Sequence, residues 1–239
     1  MYSGIRKLTE LLYPRRCPIC DGILGSREPL VCRKCGKTLH FIETPACLKC
    51  GRPLSKCEQE YCSDCGKNLH EFEQGFAPFS YGGSVQSSMM RFKYGGRAEY
   101  AGFYAAAMAG FGKKQLQDWK PEILIPVPVH RNRLIKRGYN QAEKLAQSLS
   151  RICGIPSEPH AVVRMKNTLP QKELSRIERK RNLEQAFSVA AGYHPPGRVL
   201  LVDDIYTTGS TIDTLAALLK KNGAQKVWFA CACVSPGDS

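Results

Sequence analysis

The sequence predicts an α/β fold with a mainly parallel sheet, preceded by a small cysteine-rich region that holds metal. Three observations carry this. The run Arg198-Val199-Leu200-Leu201-Val202 is apolar on both faces, as in a parallel strand covered on both sides. It ends in Asp203-Asp204, and a hydroxyl-rich turn, Thr207-Thr208-Gly209-Ser210-Thr211, then opens an amphipathic helix. Far upstream, eight cysteines form four C-x-x-C pairs: Cys17/Cys20, Cys32/Cys35, Cys47/Cys50 and Cys62/Cys65.

The chain has 239 residues, enough for one or two domains with a sizeable core. No stretch approaches the ~20 apolar residues of a membrane span, and the start lacks a signal peptide's apolar centre, so a cytoplasmic location is expected. Clustered C-x-x-C pairs in that compartment argue for metal and against disulfides. The formal charge is +14. Eight thiolates on two Zn²⁺ ions would leave about +10. A chain this basic suits a polyanion, either nucleic acid or a small polyphosphate, and charge alone does not separate the two.

Taken in order, residues 1–16 read as a short basic helix with Ile5, Leu8, Leu11 and Leu12 on one face. It either covers a core or touches a membrane or nucleic acid. Residues 17–71 follow as a tandem duplication. Cys17, Cys20, Leu24 and Glu28 match Cys47, Cys50, Leu54 and Glu58 at a 30-residue period. Cys32-x-x-Cys35-Gly-Lys-x-Leu39-His40 matches Cys62-x-x-Cys65-Gly-Lys-x-Leu69-His70. Each unit (17–35 and 47–65) holds a complete Cys₄ set suited to tetrahedral Zn²⁺. The expected pairing is therefore sequential, with a cross-braced arrangement as the alternative. Both metals read as structural, because four thiolates leave no open coordination position. Cys57 is a spare thiol, and His40 and His70 read as turn or packing residues. Segments this short have too little core to fold alone, so chelation is expected to unfold them before the rest.

Residues 72–239 form the α/β domain. Phe76 to Tyr81 reads as its first strand, and Ser87 to Phe92 as a helix running into the turn Lys93-Tyr94-Gly95-Gly96. Ala98 to Gly112 is a small-residue helix, and Glu122 to Val129 is a strand. Next comes a basic, glycine-containing stretch with Arg131, Arg133, Lys136 and Arg137, read as a loop that either neutralises a diphosphate or is simply solvated. A helix from Ala142 stops at Gly154. Ala161 to Arg164 and Ala186 to Ala190 are short strands. Between them lies a strongly basic stretch poor in apolar anchors, read as a flap over the site with Gln171, Arg176, Arg179 and Asn182 as its contacts. After the central strand, Thr211 to Lys221 is a helix capped by Asn222-Gly223, and Lys226 to Val234 is a last buried strand in which Cys231 and Cys233 are core residues.

The chemistry concentrates at residues 203–211. Carboxylates at the C-terminal end of a parallel strand sit where open α/β sheets bind ligands. Asp203 and Asp204 repel phosphate but accept hydrogen bonds from vicinal hydroxyls, as on a ribose. Thr207, Thr208, Gly209, Ser210 and Thr211 offer hydroxyls and backbone N–H groups at a helix N-terminus, which suits a 5′-phosphate. The structural alternative is an acidic turn and capped helix in an ordinary βα unit. The stretch closely resembles the phosphoribosyl diphosphate (PRPP) signature of type I phosphoribosyltransferases. In that fold an early loop binds the diphosphate, the role that falls here to Arg131–Arg137.

The order Lys93-Tyr94-Gly95, Pro126-Val127-Pro128, Arg137-Gly138-Tyr139-Asn140-Gln141, Thr168-x-x-Gln171, Arg179-x-x-Asn182 and then the PRPP motif, all behind a double zinc ribbon, resembles the ComF family of the ComFC type. The resemblance covers nearly the whole chain. It implies a type I phosphoribosyltransferase-like domain, a part in natural transformation, handling of incoming single-stranded DNA, and a ComFA-type helicase partner.

Two classes of function compete. One is an enzyme that moves a phosphoribosyl group from PRPP to a nitrogen acceptor, with Mg²⁺ on the diphosphate and Asp203 and Asp204 orienting the ribose; no acceptor-reading motif is visible. The other is a DNA-handling protein that uses the same fold for PRPP or DNA phosphates. For it, Lys93, Tyr94, Arg97 and Tyr139 are the candidate DNA contacts, although tyrosines in turns more often pack than stack on bases. Peripheral contact with the inner face of the cytoplasmic membrane stays open. A glutaminase-coupled amidotransferase is set aside, because its nucleophilic cysteine belongs at the processed N-terminus and the first cysteine here, Cys17, sits in a metal knuckle.

Overall fold

The computed structural model describes residues 14–25, 28, 30–165 and 185–236. Most of the basic helix expected at residues 1–16 lies outside these. Its last residues are not helical: Arg16 bridges Ile23 across the first cysteine knuckle. Each four-cysteine unit carries one short helix, α1 (Arg33–Thr38) and α2 (Ser63–Lys67), begun at the knuckle cysteines Cys32 and Cys62.

The first strand of the large sheet is split. β1 (Gly75–Phe76) and β2 (Phe79–Ser80) are separated by Ala77-Pro78, since proline has no N–H for the ladder. α3 (Gly83–Tyr94) starts earlier than the expected helix and runs two residues longer, so Lys93 and Tyr94 sit on its last turn and not in a loop. α4 (Tyr100–Phe111) and α5 (Lys113–Trp119) follow, then β3 (Ile123–Pro126). The stretch Arg131–Arg137, expected as a loop, is a helix, α6 (Arg131–Arg137). Its arginines and lysine are good helix formers, His130 caps its start, and Gly138 in the left-handed region (φ 80) ends it. α7 (Gln141–Cys153) comes next. β4 (Val162–Arg164) and β5 (Phe187–Val189) pair antiparallel. The basic segment between them, with Gln171, Arg176, Arg179 and Asn182, lies outside the described residues. β6 (Arg198–Tyr206), α8 (Ser210–Lys221) and β7 (Lys226–Val234) complete the chain.

The large sheet is parallel throughout, with β7 pairing both β1 and β2 on one side and β6 on the other, and β3 beyond β6. β6 is therefore central, which explains its apolar run. Leu200 and Val202 face a core built with α3, α4 and α7, while Val199 and Leu201 face a second core built with α8, β4 and β5. Each fully buried aliphatic side chain on these faces stabilises the fold by roughly 1.5–3 kcal/mol. The zinc-binding units join opposite cores. Cys17, Ile19 and Cys35 pack with the α3/α4 side, and Cys47, Cys50 and Cys62 with the α8 side. Among the described residues, no helix is long and apolar enough to cross a membrane.

Candidate phosphoribosyl site and metal centres

β6 delivers Asp203 and Asp204 to the carboxyl edge of the sheet, and the chain then turns through Thr207–Gly209 into α8. Gly209 takes φ 74, and a Cβ there would lie 2.5 Å from the Tyr206 hydroxyl, so only glycine fits this turn. The first N–H groups of α8 have no intrahelical carbonyl and point into the turn. Thr207, Thr208 and Ser210 are exposed around it, and Thr208 and Ser210 share a 3.0 Å hydroxyl contact. A cavity of ≈ 30 Å³ lined by Asp203, Tyr206, Thr207, Gly209, Ser210 and Thr211 marks the spot. A larger cleft, ≈ 690 Å³, opens at the opposite end of the strands beside Arg198, Lys226 and Trp228. It has neither the acidic pair nor the turn, so size does not indicate where the chemistry lies.

The two carboxylates are not equivalent. Asp203 is pushed up to about 7, first by burial and then by the charge of Asp204, although it accepts the Asp204 N–H at 2.8 Å. Asp204 is paired with Lys93, Nζ to Oδ1 2.9 Å, with both side chains largely buried. Burial works against the Lys93 charge, but Asp204 and Asp203 outweigh it and raise its pKa. Arg137 adds its field to both Asp203 and Lys93. Arg164 on β4 also senses Asp203: burial and Arg133 lower its pKa while Asp203 opposes them. The acidic pair thus faces a cluster of cations.

Of the four cations on α6, only Arg137 turns inward. It donates to Gln141 at 2.8 Å and to the Tyr94 hydroxyl at 2.9 Å, and it lies over the Tyr94 ring. Its hydrogen bond lowers the Tyr94 pKa. Arg131, Arg133 and Lys136 are exposed; Arg133 lies one helical turn before Arg137 and, like it, lowers the Tyr94 pKa. The nucleic-acid candidates also have other partners. Lys93 is committed to Asp204. Arg97 pairs with Asp21 of the first zinc unit at 3.2 Å. Tyr139 donates to the Phe92 carbonyl and packs on the Phe92 ring, which makes it a packing residue. Tyr94 alone of the four stays substantially exposed, at 53%.

The cysteines gather as Cys17, Cys20, Cys32, Cys35 and as Cys47, Cys50, Cys62, Cys65, the sequential pairing, with the sulfurs of each set within 4.8 Å of one another. Cys20–Cys32 and Cys50–Cys62 sulfurs are 3.8 and 3.7 Å apart. A ZnS₄ tetrahedron with ~2.3 Å bonds has an edge of about 3.8 Å, so each set fits one structural zinc ion. Crowding agrees: burial and then Cys32 raise the Cys35 pKa, while Cys47 is the main cause raising those of Cys50 and Cys65. Four ionised sulfurs at this spacing need a cation among them.

Sequence reasoning missed four contributors. Lys93, a candidate DNA contact by sequence, is the partner of Asp204. Arg52, His70 and Arg164 gave no local signal, because what they touch lies far along the chain.

An acidic pair at the carboxyl edge of a parallel sheet, a hydroxyl-rich turn opening a helix, and two Cys₄ centres define a phosphoribosyltransferase-type domain behind a double zinc ribbon. Residues 8–66 match the family model of the double zinc ribbon domain, and residues 135–238 that of the phosphoribosyl transferase domain. More narrowly, the chain is similar over part of its length to competence proteins. It is 46% identical to "Competence protein F" of Haemophilus influenzae over 109 residues, 45% of this chain and 48% of that protein. It is 40% identical to "DNA utilization protein YhgH" of Escherichia coli (strain K12) over 116 residues, 47% of this chain and 49% of that protein. With "Competence protein ComFC" of Bacillus subtilis it shares 30% identity over 146 residues, 61% of this chain and 57% of that protein. The chain spans about half the length of the curated relatives it matches.

Proposed function

We propose that this protein binds PRPP or a related phosphoribosyl compound and acts in natural transformation, handling incoming single-stranded DNA in the cytoplasm. The carrying observation is the Asp203-Asp204 pair beside the 207–211 turn, with Lys93 and Arg137 on its other side. In this reading Thr207–Thr211 hold the 5-phosphate, and Asp203 and Asp204 accept from the ribose hydroxyls. Arg137, helped by Arg133, takes the diphosphate end. Carboxylate and diphosphate oxygens suit Mg²⁺. When bound, the metal offsets charge developing on the departing diphosphate. Lys93 occupies Asp204 Oδ1, which leaves Oδ2 to accept a hydroxyl while the ammonium stays beside the site. The competence relatives support the biological setting. The exposed Arg131, Arg133 and Lys136 of α6 offer a sequence-independent track for a phosphodiester backbone. A ComFA-type helicase partner and peripheral membrane contact are part of the same proposal. Thermal melting with PRPP and Mg²⁺ tests the ligand: a rise in Tm that Asp203→Ala with Asp204→Ala abolishes is expected, and an unchanged rise in that double variant overturns the site.

The second reading is an active phosphoribosyltransferase of nucleotide metabolism. What favours it is the buried Asp203 carboxyl at the strand end, pushed up to about 7 by burial and by Asp204, in the range where a carboxyl serves as a general acid or base. Diphosphate release from PRPP across a panel of bases, nucleotides and DNA separates the two. Turnover with a free base establishes the enzyme, and binding without release leaves the DNA-handling role.

A further inference from the structure

The second zinc ribbon touches the 207–211 turn at its start and the first turn of α8 just beyond its end. From the first knuckle, Arg52 lies two residues beyond Cys50. It is buried, donates to the Thr207 carbonyl at 2.5 Å, and lies 5.9 Å from the Tyr206 ring centre. Beside it, Gly51 (φ 73) brings the backbone so close that a Cβ would sit 3.1 Å from the Gly75 carbonyl, and the Lys49 carbonyl accepts the Gly75 N–H at 2.8 Å. From the second knuckle, Asp64 faces His70 at 3.6 Å. His70 Nδ1 is 2.7 Å from Asp213 Oδ2, and the Glu71 N–H donates to Asp213 Oδ1 at 2.9 Å. Asp213 is in the first turn of α8. Thus Arg52 holds the entry to the turn and His70 its exit.

The first ribbon does neither. At the matching places of the 30-residue repeat it has Gly22 for Arg52, Lys34 for Asp64, and an exposed His40 for His70. It docks instead on the other core, through Asp21 to Arg97 and Tyr100 and through the Ile19 carbonyl to Arg91. The two units keep the same metal ligands and differ where the second one meets the turn.

The contacts have a directional consequence. In a planar trans peptide the N–H points opposite to the C=O. A cation fixed on the Thr207 oxygen therefore turns the Thr208 N–H away from the ribbon. The cluster of Cys47, Cys50, Cys62 and Cys65 ties both supports into one body. A turn held in its binding geometry does not lose ordering entropy when a ligand arrives.

We propose that the second zinc ribbon is the positioning element of the phosphate-binding turn, with Arg52 and His70 as positioning residues. This rests on the reading of 207–211 as the 5-phosphate site. Calorimetric titration of the full-length, zinc-loaded chain tests it, with ribose 5-phosphate, PRPP·Mg²⁺ and inorganic diphosphate as probes. Arg52→Ala and His70→Ala each weaken ribose 5-phosphate and PRPP, Arg52→Ala by roughly tenfold, as expected for loss of a charge-assisted hydrogen bond. Diphosphate affinity stays the same, and Arg52→Lys recovers part of the loss. Asp21→Ala, which loosens the first ribbon, leaves ribose 5-phosphate affinity unchanged. Arg52→Lys and zinc content keep the test decisive if Arg52→Ala does not fold. Wild-type ribose 5-phosphate affinity in the folded, zinc-replete variants overturns the proposal while the site reading stands, and so do equal losses for diphosphate. A wild-type protein that binds no ribose 5-phosphate overturns the site reading and this proposal with it.

Discussion

Replacing Asp203 with asparagine separates what the acidic pair does for the fold from what it does for a ligand. In the folded chain Asp203 is pushed from its ordinary 3.8 to about 7 by burial and by Asp204. The sign follows from linkage. A carboxyl whose folded pKa is raised binds its proton more tightly in the native state, so stability is lost as the pH rises from about 4 to about 7. At ~1.4 kcal/mol per pH unit, a shift of about three units sets a ceiling of about 4 kcal/mol. Asp203 and Asp204 share one titration and the Asp203 side chain is not fully closed off from solvent, so about 1–2 kcal/mol is the working expectation. Asp203→Asn keeps the shape and removes the repulsion. It should therefore be more stable than wild type at pH 8, by roughly 2–8 °C in Tm for a domain of this size. The gain should shrink toward pH 5. At the same time the PRPP-dependent rise in Tm should vanish, because an amide is a weaker acceptor for the ribose hydroxyls. Melting curves at pH 5, 6.5 and 8, with and without PRPP·Mg²⁺, contain the whole test. A gain of the same size at every pH, or a loss at pH 8, refutes the account of Asp203 as a carboxylate held against its own charge.

Three other outcomes follow from the same geometry. Lys93→Met leaves Asp204 without its counter-charge and should cost about 2–4 kcal/mol, read as a lower urea midpoint at constant slope; an unchanged midpoint would mean that the 2.9 Å pair contributes nothing. Gly209→Ala forces a Cβ into the Tyr206 hydroxyl at φ 74 and should cost about 1–3 kcal/mol as well as the phosphate response, so a variant that melts and binds like wild type would discredit the turn geometry. Zinc removal should destabilise the whole chain, because Cys17 and Cys35 pack in one sheet core and Cys47, Cys50 and Cys62 in the other. This replaces the expectation from spacing alone that residues 17–65 unfold first. Calorimetry with a strong chelator decides it, and an unshifted transition for the sheet domain would favour independent ribbons.

The four knuckles, the apolar run of β6, the acidic pair and the hydroxyl-rich turn are each contiguous, and their chemistry depends on near neighbours in the chain. Arg131–Arg137 is the instructive exception. The stretch was read as a loop because its charge suggested an anion, yet helix-forming residues ahead of a left-handed Gly138 were a legible stop signal. Charge speaks to what a segment attracts and says nothing about its backbone.

The sequence by itself determined the class of fold, the two four-cysteine sets and the place of the hydroxyl-rich turn, because periodicity and spacing are properties of short segments. Tertiary structure alone decided which charges meet. Lys93 reaches Asp204 from the end of α3, Arg52 grips Thr207 across 155 residues, and His70 holds Asp213 across 143. None of these pairings leaves a trace in local spacing. They arise because a parallel sheet gathers strand ends and helix ends at one edge, and because the two ribbons fold back onto opposite faces of that sheet.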